Sequence, residues 1–234
     1  MMLNTMLLTD LDILHFFNGS NNILIDQLAL VLTSGLTWIP LYLTLFYIVI
    51  RNNETMAQIA LAVMGALVCV ALTEAITDGI VKPLVARWRP NNDPVLKYTI
   101  QVVGSLRGKG YSFFSAHAAN TMVIAVFFSL LIRSKRLTIA LVAWSLINCW
   151  TRLYLGMHYP SDILCGLLLG TVIAVVGYLL YLRLYYRVSP RITYVSNQYT
   201  RTGYDHDDID IVLCILAFTF VYAVLKALIM TCYI

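Results

Sequence analysis

Residues Ile163–Leu184 read ILCGLLLGTVIAVVGYLLYLRL, a run whose one charge, Arg183, stands beside its far end. About 20 mostly apolar residues are needed to cross a hydrocarbon core of roughly 30 Å, so the stretch is read as a membrane span. Five other runs share its character: Ile25–Ile50, Met56–Ile80, Ala116–Ile132, Leu137–Leu155 and Ile209–Ile234. None alternates apolar and polar residues as a barrel strand does. Backbone groups in lipid must bond within their own segment, so all six are expected to be helices. The fold class that follows is all-α, a polytopic membrane helix bundle of about six transmembrane helices in one domain. Pro40 lies inside the first run and is the expected point of any kink there.

Composition agrees. Of 234 residues, 60% are hydrophobic and 12% charged, against roughly 45–50% and 25% in soluble domains. That excess excludes a secreted disulfide scaffold, a disordered chain and a cytosolic enzyme. Sixteen Lys and Arg against twelve Asp and Glu give a net charge of +4, spread over short loops and too mild for a nucleic-acid partner. Cys69, Cys149, Cys165, Cys214 and Cys232 all lie in apolar runs without metal-like spacing, and read as packing residues.

The segment Met1–Gly19 mixes Leu11, Ile13, Leu14, Phe16 and Phe17 with Asp10 and Asp12. It is too short and acidic to span, and fits a helix lying in the interface. No Lys or Arg precedes Arg51, so the cationic front of a signal peptide is missing. Cytoplasmic loops are enriched in Lys and Arg. Arg51 follows the first run, Arg133, Lys135 and Arg136 the third, and Arg183, Arg187, Arg191 and Arg201 the fifth. Alternation puts those connections on one face, assigned to the cytoplasm, with residues 188–208 as a polar cytoplasmic loop and 209–234 as an additional C-terminal helix. Lys226 in that last helix is near enough to the outer end to snorkel.

One outer loop breaks the rule, since Lys82, Arg87, Arg89, Lys97, Arg107 and Lys109 crowd the stretch after the second run. Either the orientation is inverted or these cations bind an anion. The neighbouring polar residues favour the anion. Phe114-Ser115-Ala116-His117 opens the third run, Thr151-Arg152 ends the fourth, and His158, Pro160 and Asp162 lead into the fifth. Helix alternation delivers all of them to one membrane surface.

These residue types suit phosphoryl transfer, whose transition state spreads negative charge over the equatorial oxygens. Lys82, Arg89 and Arg152 can balance that charge. The helix beginning near Ser115 adds free backbone N–H groups, and Ala116 is small enough to let a phosphate approach them. A neutral histidine can serve as nucleophile when a carboxylate fixes its tautomer, and His158 and Asp162 stand four apart for that purpose. His117 remains to protonate the leaving oxygen and then activate water. No clustered carboxylates of metal-binding type lie nearby, so the cations are expected to replace Mg²⁺, with no metal or cofactor. Glu74 and Asp78 are expected to line the site or pair with a cation. Arg87, between motif positions, reads as an interface anchor or a phosphate contact, and Arg107 and Lys109 as a solvated loop.

Lys82, six residues, Arg89-Pro90; Ser115-x-His117; and Arg152, five residues, His158, three residues, Asp162 resemble the three-part signature of the type 2 phosphatidic acid phosphatase family. Its members include membrane lipid phosphatases and the soluble vanadium haloperoxidases. The signature occupies residues 82–162, about a third of the chain. The resemblance implies that His158 forms a phosphohistidine, Asp162 supports it and His117 is the general acid. It further implies that Lys82, Arg89, Ser115, Arg152 and the backbone at Ala116 bind phosphate. Two departures stand out: Phe114 and Ala116 occupy positions usually Pro and Gly, and Thr151 one usually Ser.

The expected function is a lipid phosphatase of the bacterial cytoplasmic membrane, with its site facing the outside at headgroup level. By analogy with the family, the first substrate expected is undecaprenyl diphosphate. Lipid A carrying a 1- or 4′-phosphate, phosphatidylglycerophosphate and phosphatidate are the alternatives. Transfer of the phosphate to an alcohol instead of water is a rival within the chemistry. An anion transporter is a rival outside it, and predicts inverted repeats or broken helices, neither of which stands out in the sequence.

Overall fold

A computed structural model describes residues 2–20, 22–188 and 197–233; the expectations for Arg191 and for residues 189–196 of the polar loop lie outside these residues. Its helices are α1 (Met2–Phe17), α2 (Ile23–Thr33), α3 (Ile39–Arg51), α4 (Met56–Glu74), α5 (Lys82–Val85), α6 (Ala116–Ile132), α7 (Lys135–Tyr154), α8 (Pro160–Val188) and α9 (His206–Cys232). The all-helical class holds. Sequence-encoded caps start several of them. The Asn22 side chain accepts from Leu24 and Ile25 N–H, Thr55 and Gln58 form a reciprocal capping box, and Ser115 and Asp205 cap α6 and α9. Each satisfies backbone donors that a helix start leaves open.

Among the described residues, three helices are long and apolar enough to cross a membrane, Met56–Val85, Pro160–Val188 and His206–Cys232, with the bent pair Ile23–Thr33 and Gly35–Arg51 as a fourth. The expected count of six is not reached on that measure. Helix α6 has 17 residues, and α7 carries Lys135, Arg136 and Arg152. The reason is their position. Helix α6 packs against α4, α7 and α8, and ten of its residues are buried, so neighbouring helices cover much of it instead of lipid.

The first apolar run does not bend at Pro40. Its two helices meet at 67° around Ser34, while Pro40 sits in the first turn of α3, where a missing N–H costs no hydrogen bond. Carbonyls freed near the break find side chains: Thr37 Oγ1 donates to Val31 O at 2.6 Å and Trp38 Nε1 to Leu32 O at 2.9 Å. The break exposes the Thr33 carbonyl to the site described below.

Helices α6 and α8 approach backbone to backbone. A Cβ added at Gly166 would lie 2.6 Å from Ser115 O, and one at Gly170 2.4 Å from Ala119 O. Two small residues four apart permit such contact between membrane helices. The same contact lets Ser115 N–H donate to Asp162 O at 3.1 Å, joining the second motif to the third. Gly170→Ala must push the helices apart, at a cost of about 1–3 kcal/mol. Thermal unfolding in detergent is expected to show a midpoint several degrees lower, whereas Gly79→Ala, with open space around it, leaves the midpoint unchanged or raises it.

Candidate active site

Three motifs meet where α4–α5, the start of α6 and the α7–α8 turn come together. Between α4 and α5 the chain forms a π-helix over Ala75–Val81, then ends α5 with Ala86 in the left-handed region at φ 50°. A π segment shifts the register of the side chains that follow it. Arg89 comes after this turn and is buried. Its Nε donates to Lys109 O at 3.1 Å, and its Nη1 contacts Met157 O at 3.3 Å and His158 Nε2 at 3.1 Å.

An arginine N–H can only donate, so the Nε2 it meets carries the lone pair and the proton of neutral His158 sits on Nδ1. On that side Ser112 Oγ lies 3.4 Å away and Asp162 Oδ2 3.7 Å away. The carboxylate is therefore beyond direct hydrogen-bond reach, and the Ser112 hydroxyl, which donates to Asp162 Oδ2, connects the two. Tyr159 N–H donates to the same oxygen at 3.0 Å. Asp162 is fully buried. Its other oxygen accepts from Arg87 Nη1 at 2.7 Å.

Arg152 is held loosely. Its Nη1 meets the Met157 thioether at 3.1 Å, its Nη2 reaches Thr33 O at 3.5 Å, and its buried Nε has no partner among the described residues. His117, at the start of α6, is close enough to Arg152, His158 and Lys82 to interact with each electrostatically. Lys82 pairs with Asp78 at 2.5 Å, the cation contact the sequence suggested for that acid, whereas Glu74 accepts from the neutral Asn120 and lines the groove beside His117. Ser115 is fully buried and spends its hydroxyl on capping α6. That leaves Ala116 and His117 N–H at a helix start with no intrahelical acceptor.

All eight sequence-predicted residues thus converge on one region. Two contributors were not foreseen there. Arg87, read from sequence as an interface anchor or a phosphate contact, turns its fork to Asp162 and Asp10. Ser112 carried no signal distinguishing it from any loop serine. Arg107 and Lys109 brace the loop: Arg107 Nη1 donates to Asn91 O, and Lys109 offers its carbonyl to Arg89. Beside His117 an apolar groove of about 490 Å³ runs along α3, α4 and α6, walled by Trp38, Phe46, Leu67, Ile124 and Phe128.

Burial is the main reason the His158 imidazole is pushed down to about 4; Arg89 and Arg152 push the same way, and Asp162 opposes them. It is therefore neutral at neutral pH. An unfolded chain binds a proton there below about 6.5 that the folded chain refuses until about 4, so folding stability rises with pH across that window. Thermal midpoints in detergent are expected to fall between pH 6.5 and 4.5 more steeply for wild type than for His158→Gln. Equal slopes would contradict the burial account.

Apolar helices of membrane length, with cations, histidines and open backbone donors gathered where three motifs meet, define a multi-pass membrane protein. Comparison with known proteins gives the family. The chain belongs to the PAP2 superfamily, whose family model matches residues 62–186. It is 35% identical to a lipid A 4′-phosphatase of Bacteroides thetaiotaomicron, over 70% of this chain and 73% of that protein. A lipid A 4′-phosphatase of Porphyromonas gingivalis is 28% identical over 70% of each chain. Phosphatidylglycerophosphatase B of Haemophilus influenzae is 39% identical over a shorter 72-residue stretch, 27% of this chain and 30% of that protein. No solved structure matches significantly.

Proposed function

We propose that this lipid phosphatase removes the 4′-phosphate of lipid A through a phosphohistidine on His158, at the outer face of a bacterial inner membrane. The observation that carries the chemistry is the His158 imidazole: neutral, its Nε2 lone pair directed at the Arg89 guanidinium, its Nδ1 backed by Ser112 and Asp162. A phosphate held by Arg89, Arg152, Lys82 and the Ala116 and His117 N–H groups would meet that lone pair. The P–N bond forms as the bond from phosphorus to the sugar oxygen breaks, and His117 protonates the leaving oxygen. His117 then takes a proton from water, the hydroxide attacks phosphorus, and the P–N bond breaks to release phosphate. Asp162 balances the positive charge on the imidazole between the two steps.

Two lipid A 4′-phosphatases among the relatives support that lipid ahead of undecaprenyl diphosphate, which none of the three relatives described above is named for. The groove beside His117 suits an acyl chain that stays in the hydrophobic phase while its head group reacts. The outer orientation is supported by Arg51, Arg133, Lys135, Arg136 and Arg187, which all stand at the helix ends away from the site.

The test is phosphate release by purified protein, with EDTA present, from lipid A bearing only a 4′-phosphate. The panel also holds lipid A bearing only a 1-phosphate, undecaprenyl diphosphate and phosphatidylglycerophosphate. The 4′-monophosphate is expected to be the best substrate by kcat/KM. Preference for undecaprenyl diphosphate would overturn the lipid assignment, transfer without free phosphate would replace hydrolysis by phosphotransfer, and a requirement for added Mg²⁺ would reject the metal-free step.

A further inference from the structure

The N-terminal helix enters the site through a chain of charges. Asp10 on α1 accepts from Ser161 N–H at 2.9 Å and from the Ser161 hydroxyl, so it satisfies the first turn of α8 as well as a side chain. The same carboxylate pairs with Arg87 Nη2 at 2.9 Å, and Arg87 Nη1 continues to Asp162 Oδ1 at 2.7 Å and Ser161 Oγ at 2.8 Å. The guanidinium lies over the Tyr159 ring with its carbon 3.6 Å from the centroid. Its fork is thus fixed edge-on by two carboxylates and face-on by an aromatic ring. A planar five-donor group can meet those demands together, and a lysine cannot. Asp162 has no exposed side-chain surface, while Arg87 and Asp10 retain 21% and 12%. Removing the arginine strands a buried carboxylate oxygen that water reaches poorly.

We propose that Arg87 and Asp10 are positioning residues: the guanidinium, pinned by Asp10 of α1, holds Asp162 in the orientation that offers its second oxygen to Ser112 and His158. This rests on the phosphohistidine reading above. Of the two Asp162 oxygens, Arg87 occupies one. The other is left to the Tyr159 N–H, the Ser112 hydroxyl and the His158 side. Helix α1 is then part of the reaction's support and not only a membrane-surface element. An acid in a short apolar helix reads from sequence as a sign of interfacial lying, but here its carboxylate faces the protein.

The expected results on 4′-³²P-labelled lipid A are a kcat lower by about 10- to 100-fold in Arg87→Lys, the size typical of groups that orient a histidine from behind, with KM unchanged. Formation of the acid-labile phosphoenzyme slows by the same factor. Asp10→Asn keeps an acceptor for Ser161 but loses the charge, and lowers kcat less. The double variant is no worse than Arg87→Lys alone, since both act through one contact. Thermal midpoints separate this from simple loss of folded protein, because the effect is read per folded molecule. Wild-type kcat in both folded single variants overturns the proposal. So does a raised KM with kcat retained, which would make Arg87 a phosphate ligand. A wild type that forms no acid-labile phosphoenzyme overturns the phosphohistidine reading as well, and so tells the two failures apart.

Discussion

His158→Ala is expected to lower phosphate release by about 10⁴-fold or more, with no acid-labile phosphoenzyme. The size follows from losing the atom that bonds to phosphorus. The other imidazole at the site, His117, is assigned to the leaving oxygen, and Arg89, Arg152 and Lys82 are all donors. Asp162→Asn is expected to cost about 10³- to 10⁴-fold, by analogy with the loss of an orienting carboxylate from a catalytic triad. The amide retains the volume but not the charge that balances the imidazolium. It also turns one of the two oxygens facing Arg87 and Ser112 into a donor. Phosphate release and phosphoenzyme trapping on the same preparations check both. Activity in His158→Ala comparable to wild type would remove the phosphohistidine from the mechanism.

Arg152→Lys carries the second large effect, a fall of about 10²- to 10³-fold in kcat/KM, comparable to deletion of one preorganised donor from an oxyanion site. The argument is one of unsatisfied donors. A half-buried guanidinium that has, among the described residues, only a thioether, one 3.5 Å carbonyl and a buried, unpartnered Nε is poorly compensated for its lost hydration. An oxyanion supplies what is missing. Inorganic phosphate should accordingly raise the thermal midpoint of wild type in detergent by mass action, and that rise should shrink in Arg152→Lys. Arg89 is less exposed to this test, because three acceptors hold it already. A phosphate-induced rise of equal size in Arg152→Lys would contradict the assignment.

Much of the site was legible because its chemistry is tied to spacing along the chain. Lys82 and Arg89, Ser115 and His117, and Arg152, His158 and Asp162 are local sets, each near a helix end, and helix alternation alone carries them to one surface. The glycines at 166 and 170 stood in the quoted span as well, although only the α6–α8 contact gives them a purpose. Ser112 and Asp10 were not legible. Each acts across a long sequence separation, 50 residues from Ser112 to Asp162 and 151 from Asp10 to Ser161. Neither sits in a pattern that marks it out from an ordinary polar residue. Arg87 showed its charge but not its direction, since a guanidinium on a turn can face lipid head groups, a ligand or a carboxylate.

The amino-acid sequence by itself determined that the chain is helical and membrane-bound, because uninterrupted apolar runs leave the backbone no other partners in lipid. It also determined which charged and imidazole groups gather at one end. Tertiary structure alone decided where the first run breaks, at Ser34 and not Pro40, because the break is held by Thr37 and Trp38 reaching back to α2. It alone decided that α6 sits among three neighbours and need not match a membrane in length. It also chose the partner of each Asp162 oxygen, since hydrogen-bond partners are fixed by directions and distances between distant segments that composition and spacing do not encode.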